Sequence, residues 1–129
     1  DTTAHVVEVL TERVGNAYRA FLRKLGISYI IAGETELDHG LALSKLKEEF
    51  NIETLMLGGG GVLNWSFLQA GMCDEISIVL AAAADGGPDT PPVFRAAEGI
   101  SESKALGFTP KEAKAMDGGA VWLRYGVNR

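Results

Sequence analysis

Four consecutive glycines, Gly58, Gly59, Gly60 and Gly61, constrain the fold of this chain more than any other segment does. An apolar run (residues 55–57) precedes them, and helix-compatible sequence (residues 62–64) follows. Because glycine has no side chain, several backbone N–H groups can approach one anion, and the positive end of a following helix dipole adds to the attraction. The segment predicts a strand, a phosphate-binding loop and a helix, with a dinucleotide pyrophosphate as the ligand.

The glycine run also permits a simpler interpretation, a sharp turn between strand and helix that binds nothing. A Walker-type phosphate loop requires Lys and then Ser or Thr after its last glycine, whereas Val62, Leu63 and Asn64 follow here. The Rossmann dinucleotide fingerprint needs a third glycine where Leu63 or Asn64 stands. Neither standard motif is therefore supported.

Length and charge limit the class of protein. The chain of 129 residues is long enough for one domain, residues 1–129, with its own core. A net charge of −5, with 12 Lys and Arg scattered along the chain, argues against a nucleic-acid surface. No run approaches the ~20 apolar residues of a membrane span, and no signal segment opens the chain. We expect a cytoplasmic protein that binds neither nucleic acid nor membrane.

Cysteine and histidine give no sign of a metal site. Cys73 is the single cysteine, which excludes an internal disulfide and a cysteine-based zinc cluster. His5 and His39 lie far apart, with no ligand spacing around them. The sequence therefore predicts no bound metal.

The first half of the chain alternates strand-like and helix-like segments. Strands are predicted at residues 5–10, 27–32 and 54–57. Helices are predicted from the N-cap Asn16 to Gly26, from the N-cap Asp38 to Asn51, and over residues 62–70. Each helix is predicted to turn one apolar face inward. The inward residues are Tyr18, Phe21, Leu22 and Leu25 in the first helix, Leu43, Leu46 and Phe50 in the second, and Leu63, Phe67 and Ala70 in the third.

Short strands joined through helices run parallel, so their carboxyl ends share one sheet edge, where ligands of open α/β sheets bind. The loops at residues 11–13 and 32–34 and the glycine run would meet at that edge.

The pattern changes in the second half of the chain. A fourth strand (residues 76–81) leads into turn-rich sequence (residues 85–92), and a terminal antiparallel hairpin follows, with Pro110 at an edge or on a bulge.

Several segments resemble the riboflavin-biosynthesis reductase family, the reductase half of bifunctional deaminase-reductases. The resemblance rests on Leu57-Gly58-Gly59-Gly60-Gly61-Val62-Leu63-Asn64 and its continuation through Gly71-Met72-Cys73-Asp74-Glu75-Ile76, on Leu10-Thr11-Glu12, on residues 28–33, on Asp85-Gly86-Gly87 with Pro92-Val93-Phe94, and on residues 117–125. It implies an α/β, dihydrofolate reductase-like three-layer fold with a mostly parallel central sheet, helices on both faces and a C-terminal antiparallel hairpin.

The resemblance also implies a cofactor and a reaction. NADPH would lie with its pyrophosphate on Gly59, Gly60, Gly61, Val62 and Leu63, with Gly58 adjoining. Thr11 would meet the adenosine ribose and its 2′-phosphate, Gly33 would line the adenine side, and Arg13 would either bind phosphate or remain solvated. The implied substrate is a 5-amino-6-(5-phosphoribosylamino)uracil-like small molecule, whose ribose is reduced to a ribityl chain.

Two departures from the family are visible. Gly58 stands where many members have Glu, so a contact made by that carboxylate is missing. Members also begin with a further stretch that forms most of the substrate pocket, so we expect the catalytic residues there and interpret this chain as the C-terminal part of a longer protein. A sheet without its central strands exposes unpaired edges, so we expect a homodimer or retention of the missing piece.

Two alternative functions remain open. One is a dihydrofolate reductase-like oxidoreductase that acts on another small molecule. The other is a non-catalytic nucleotide-binding or dimerisation module.

Overall fold

The computed structural model describes residues 4–98 and 105–128. In chain order the elements are β1 (Val7–Leu10), α1 (Asn16–Lys24), β2 (Ser28–Ile31), α2 (His39–Phe50), α3 (Gly61–Gln69), β3 (Glu75–Leu80), β4 (Phe108–Ala115), a 3-10 turn (Asp117–Gly119) and β5 (Val121–Val127). They form two compact units, Asp1–Met56 and Leu57–Arg129. The expected mixed α/β class, with parallel and antiparallel strand pairs, is confirmed.

The first unit is built on the parallel pair β1 and β2, in which Val7 lies opposite Ser28 and Leu10 opposite Ile31. The apolar side chains of these strands and of α2 form its core. Ile30, Ala32 and Ala42 are buried, and Val7, Val9, Leu46 and Phe50 pack against them. The inward positions predicted for Leu46 and Phe50 are thus confirmed.

The ends of the helices follow local chemistry. Asp38 caps α2 as predicted, because its Oδ1 accepts a hydrogen bond from the Leu41 amide (2.9 Å). Asn51 ends α2 in the left-handed conformation (φ 54°), and Gly26 (φ 70°) follows the end of α1. The predicted N-cap Asn16 is wrong by one residue. Gly15 has the extended cap conformation, and Asn16 is already helical, so no side chain caps α1.

The predicted apolar face of α1 is only partly buried. Leu22 is 1% exposed, but Tyr18, Phe21 and Leu25 are exposed. Within the described residues α1 packs mainly on β2, one strand of a two-stranded sheet, and this leaves much of the predicted face uncovered. Tyr18 instead donates a hydrogen bond to the Glu8 carboxylate (2.9 Å) and stacks on Phe21.

The second unit contains the antiparallel sheet β3-β5-β4, which confirms the fourth strand and the terminal hairpin. The register shifts between Pro110 and Glu112, so Lys111 is an extra residue in β4. Pro110 therefore lies both on an outer strand and at a bulge. Both are places where a residue without an N–H donor is tolerated.

The strand predicted at residues 54–57 is wrong. β1 pairs with β2, and β3 and β4 pair with β5, so no described strand pairs with this segment. Its sequence is apolar, but a strand also requires a neighbour that accepts and donates ladder hydrogen bonds. Leu55 is exposed and Met56 is 90% exposed.

The face predicted for α3 is also partly wrong. Phe67 is buried as expected, but its buried companion is Leu68, while Leu63 and Ala70 are exposed. The apolar residues of α3 are spread around the helix, so their spacing does not single out one face. Gly71 (φ 68°) follows the helix end, as predicted.

Candidate functional site

The glycine loop, residues 58–61, leads directly into α3. Gly59 has a φ of 93°, which side-chain-bearing residues rarely adopt, and the bond between Gly59 and Gly60 is cis. Gly60 is the N-cap of α3, in extended conformation, and Gly61 is the first helical residue. The predicted passage from the glycines into a helix is confirmed, although the segment before them is not a strand.

Three amides at the start of α3 are available to a ligand. The Asn64 amide donates to the Gly60 carbonyl (2.9 Å) and so begins the helical ladder. Within the described residues, no acceptor pairs with the amides of Gly61, Val62 and Leu63, and no side chain caps the helix. The first turn also has no acidic residue that would neutralise the positive end of the helix dipole. This arrangement suits an anionic group.

The space around the loop differs from glycine to glycine. A Cβ added at Gly58 or Gly60 would meet no described atom within 4 Å. At Gly61 it would lie 2.5 Å from the Pro92 carbonyl oxygen, a distance that real Cβ atoms essentially never show. Gly61 is therefore required by packing, whereas Gly58 and Gly60 face open space that a ligand can fill.

Sequence reasoning missed the residues that flank this loop. The Asn64 Nδ2 donates to the Val93 carbonyl (2.9 Å), and the Arg95 amide donates to the Gly61 carbonyl (3.0 Å). We call residues 92–95 the strap. No local pattern signals these contacts, because the partners are about thirty residues apart and the strap has neither helix nor strand.

Thr11 and Gly33, predicted at the ribose and adenine sides, lie together in the first unit. The Ala32 amide donates to the Leu10 carbonyl (2.8 Å), and the Glu12 amide donates to the Gly33 carbonyl (3.0 Å). The structure therefore brings the carboxyl ends of β1 and β2 together, as predicted. Gly33 has a φ of 104°, and an added Cβ would overlap the Glu36 carbonyl oxygen, so the turn itself requires glycine.

A cation also lies beside this strand end. The Arg19 Nη2 donates to the Glu12 carbonyl (3.3 Å), and its Nε is buried without an acceptor among the described residues. Arg13, the cation singled out from the sequence, is exposed in the same loop. The glycine loop belongs to the other unit, so the predicted meeting of all three loops remains a prediction.

In the part of the chain that the structure describes, no cluster of three or more His, Cys, Asp or Glu residues could hold a metal ion. Over the same residues, no helix is both long enough and apolar enough to cross a membrane.

The fold and the loop define a mixed α/β protein in which a glycine turn leaves backbone amides at a helix start without an acceptor among the described residues. Residues 2–122 match the model of the RibD C-terminal domain family, and the chain belongs to that family. The resemblance stated above is thus confirmed.

Two curated relatives are named 2,5-diamino-6-ribosylamino-4(3H)-pyrimidinone 5′-phosphate reductase. The protein from Methanothermobacter thermautotrophicus is 38% identical over 73 residues, which are 57% of this chain and 33% of that protein. The protein from Aquifex aeolicus is 28% identical over 103 residues, 80% of this chain and 45% of the relative. The chain thus spans less than half the length of either relative.

Solved structures agree on the fold. A pyrimidine reductase-like protein from Corynebacterium diphtheriae superposes with a TM-score of 0.72 at 18% identity, over 98% of this chain and 51% of that chain. RibD of Acinetobacter baumannii gives a TM-score of 0.72 at 20% identity, over 95% of this chain and 37% of the other. At this level of identity the likeness establishes the fold alone.

Proposed function

We propose that this chain is the cofactor-binding part of an NADPH-dependent reductase of the riboflavin-biosynthesis type. The observation that carries the proposal is the start of α3, where the amides of Gly61, Val62 and Leu63 have no acceptor among the described residues. Open space beside Gly58 and Gly60 leaves room for a diphosphate to approach the backbone. The residues present therefore fit the diphosphate of a nicotinamide dinucleotide.

Each group of residues has a distinct role in this proposal. The glycine loop and the first turn of α3 hold the diphosphate through N–H groups and the helix dipole. Thr11 and Gly33 are proposed to contact the adenosine end. A bound nicotinamide supplies the hydride, and the task of this chain is to fix the cofactor's position and to limit its freedom.

The proposed substrate is a phosphoribosylamino-pyrimidine, and the product carries a ribityl chain in place of the ribose. The names of the relatives support a 2,5-diaminopyrimidinone, which differs at ring position 2 from the aminouracil that the sequence resemblance implies. Both compounds carry the same ribose 5-phosphate. Comparing them would show whether the protein distinguishes an amino from an oxo group at that position.

A titration with NADPH tests the binding site. The wild-type chain is expected to bind, and Gly60→Ala is expected to raise the dissociation constant about tenfold or more, because the added methyl group fills the space next to the diphosphate. Gly15→Ala is the matched control, since Gly15 is also an extended N-cap glycine with open space at its Cβ. Equal affinities of the two variants would contradict the assignment of the loop.

Addition of each pyrimidine then tests the reaction, in the longer protein that retains the further stretch expected to supply the catalytic residues. A fall in the absorbance of the reduced nicotinamide indicates oxidation of NADPH and supports the proposed reductase. Binding of NADPH with no oxidation by either compound favours a dihydrofolate reductase-like enzyme with another substrate. No binding by the wild-type chain favours the dimerisation module and rejects the proposal.

A further inference from the structure

Asn64 connects the glycine loop to the strap. Its backbone amide donates to the Gly60 carbonyl, and its side-chain Nδ2 donates to the Val93 carbonyl, both at 2.9 Å. The same side chain lies over Gly59, with Nδ2 3.5 Å from the point where a Cβ on that residue would stand. One half-buried residue thus contacts two of the four loop glycines and the strap.

The strap needs such an attachment. Residues 81–98 contain neither helix nor strand, so no ladder of backbone hydrogen bonds fixes their course. Near the loop, the strap is held by the Arg95 amide on the Gly61 carbonyl and by Asn64 on the Val93 carbonyl. These two bonds bring the Pro92 carbonyl oxygen close to Gly61.

We infer that Asn64 is a positioning residue. It holds residues 92–95 against the first turn of α3 and thereby keeps the amides of the glycine loop aligned for an anionic ligand. The part of this inference that concerns the ligand rests on the proposed function. The part that concerns the strap does not, because it follows from contacts within the chain alone.

Asn64→Leu tests the inference, because leucine keeps a similar volume over Gly59 and cannot donate to Val93. Ser77→Ala is the control variant. It removes a hydrogen bond of similar length in the same unit, the one from the Trp122 indole (2.8 Å), away from the glycine loop. Both variants are measured as the full chain, by amide hydrogen exchange and by NADPH titration.

Two results are expected of Asn64→Leu. Exchange of the Arg95 amide should become about tenfold faster, since the strap loses one of its attachments. The dissociation constant for NADPH should rise about tenfold, while Ser77→Ala changes neither quantity. A drop in thermal stability shared by both variants, without the change in exchange or affinity, would show a merely structural role and overturn the inference.

The two proposals can fail separately. If the wild-type chain does not bind NADPH, the proposed function is rejected and the exchange of the Arg95 amide decides the role of Asn64. If the wild type binds and Asn64→Leu binds equally well with unchanged exchange, the proposed function stands and the inference about Asn64 is rejected.

Discussion

The four glycines of the loop are glycine for different physical reasons. Gly59 adopts a positive φ, and Gly61 lies against the Pro92 carbonyl oxygen. Gly58 and Gly60 have neither constraint from the described residues. Substitutions at these positions therefore separate the effects of backbone conformation, packing and ligand access.

Gly61→Ala is expected to destabilise the fold by about 1–3 kcal/mol, because the new methyl group overpacks against the strap. The free energy of unfolding is to be measured by urea titration. Gly60→Ala serves as the comparison, since a Cβ there meets open space. Equal stabilities of the two variants would contradict the packing described around Gly61.

Single residues were predictable where the signal lies within a few positions. Asp38 was identified as an N-cap, and Gly26, Gly71 and Asn51 as helix ends, because cap chemistry is local. The contact between Asn64 and the strap was not predicted, because the acceptor, the Val93 carbonyl, belongs to a distant and irregular segment. The glycine run predicts a ligand site, which stays a prediction, but it does not reveal which glycines packing requires.

The stability of a helix depends on such local capping hydrogen bonds, and the contribution of the cap of α2 can be measured. Asp38→Ala is expected to lower the free energy of unfolding by about 1 kcal/mol, because the Leu41 amide loses its acceptor at the start of α2. Glu49→Ala, on the exposed side of the same helix, is the control and should have a smaller effect. Urea titration of both variants gives the comparison, and equal losses would contradict the cap.

An ion-pair network joins the three strands of the second unit. Arg124 on β5 contacts both oxygens of Glu75 on β3, with Nε at 2.7 Å and Nη2 at 3.0 Å. Lys111 on β4 reaches the same carboxylate at 2.9 Å, and Glu112 accepts from Arg124 at 3.3 Å. Trp122 lies under the guanidinium. The network therefore adds an electrostatic link between all three strands to the backbone ladder that pairs them.

The network makes stability depend on pH. Hydrogen bonds from Arg124 and then from Lys111 lower the pKa of Glu75 to about 2. Because the pKa is lower in the folded state, the ionised carboxylate stabilises the fold above its ordinary pKa, and this contribution disappears as the pH falls from about 5 to about 2.

Glu75→Gln is therefore expected to be less stable than the wild type at neutral pH and to lose less stability on acidification. Unfolding followed at several pH values checks this, with Glu49→Gln as control. An identical pH dependence in wild type and Glu75→Gln would show that the network does not act in this way.

Most strands were predictable from their local pattern, including β1, β2 and β3, whose partners lie far away in sequence. β4 and β5 are separated by a short turn with Gly118 and Gly119 at positive φ, and both were identified. Residues 54–57 have an equally apolar sequence and no described partner. The local pattern does not show whether a strand has a partner, which is why that strand was predicted wrongly.

At the scale of the whole molecule, the two outer strands of the antiparallel sheet differ. β4 carries Pro110, a bulge and two lysines, devices that discourage further pairing. β3 ends in Val79 and Leu80, which are 59% and 61% exposed, and has β5 as its one partner among the described strands. The predicted homodimer, if formed through this sheet, should use the β3 edge.

Sedimentation velocity tests this expectation. The wild-type chain should sediment faster as its concentration rises, and Leu80→Lys should weaken that dependence by adding a charge to the open edge. Ala115→Lys is the matched control, because Leu80 and Ala115 lie on either side of Val121 at opposite edges of the sheet. If sedimentation depended on concentration to the same extent in both variants, any association would take place away from the β3 edge.

The proline and the bulge of β4 have a consequence for how many copies can join. Because these features of β4 discourage another strand at its edge of the sheet, we expect further pairing at the β3 edge instead. In the predicted homodimer, two copies joined at the β3 edge would leave neither of these edges free, and the assembly would close as a pair. A small irregularity in the last hairpin would then work against the open-ended stacking that leads to filaments.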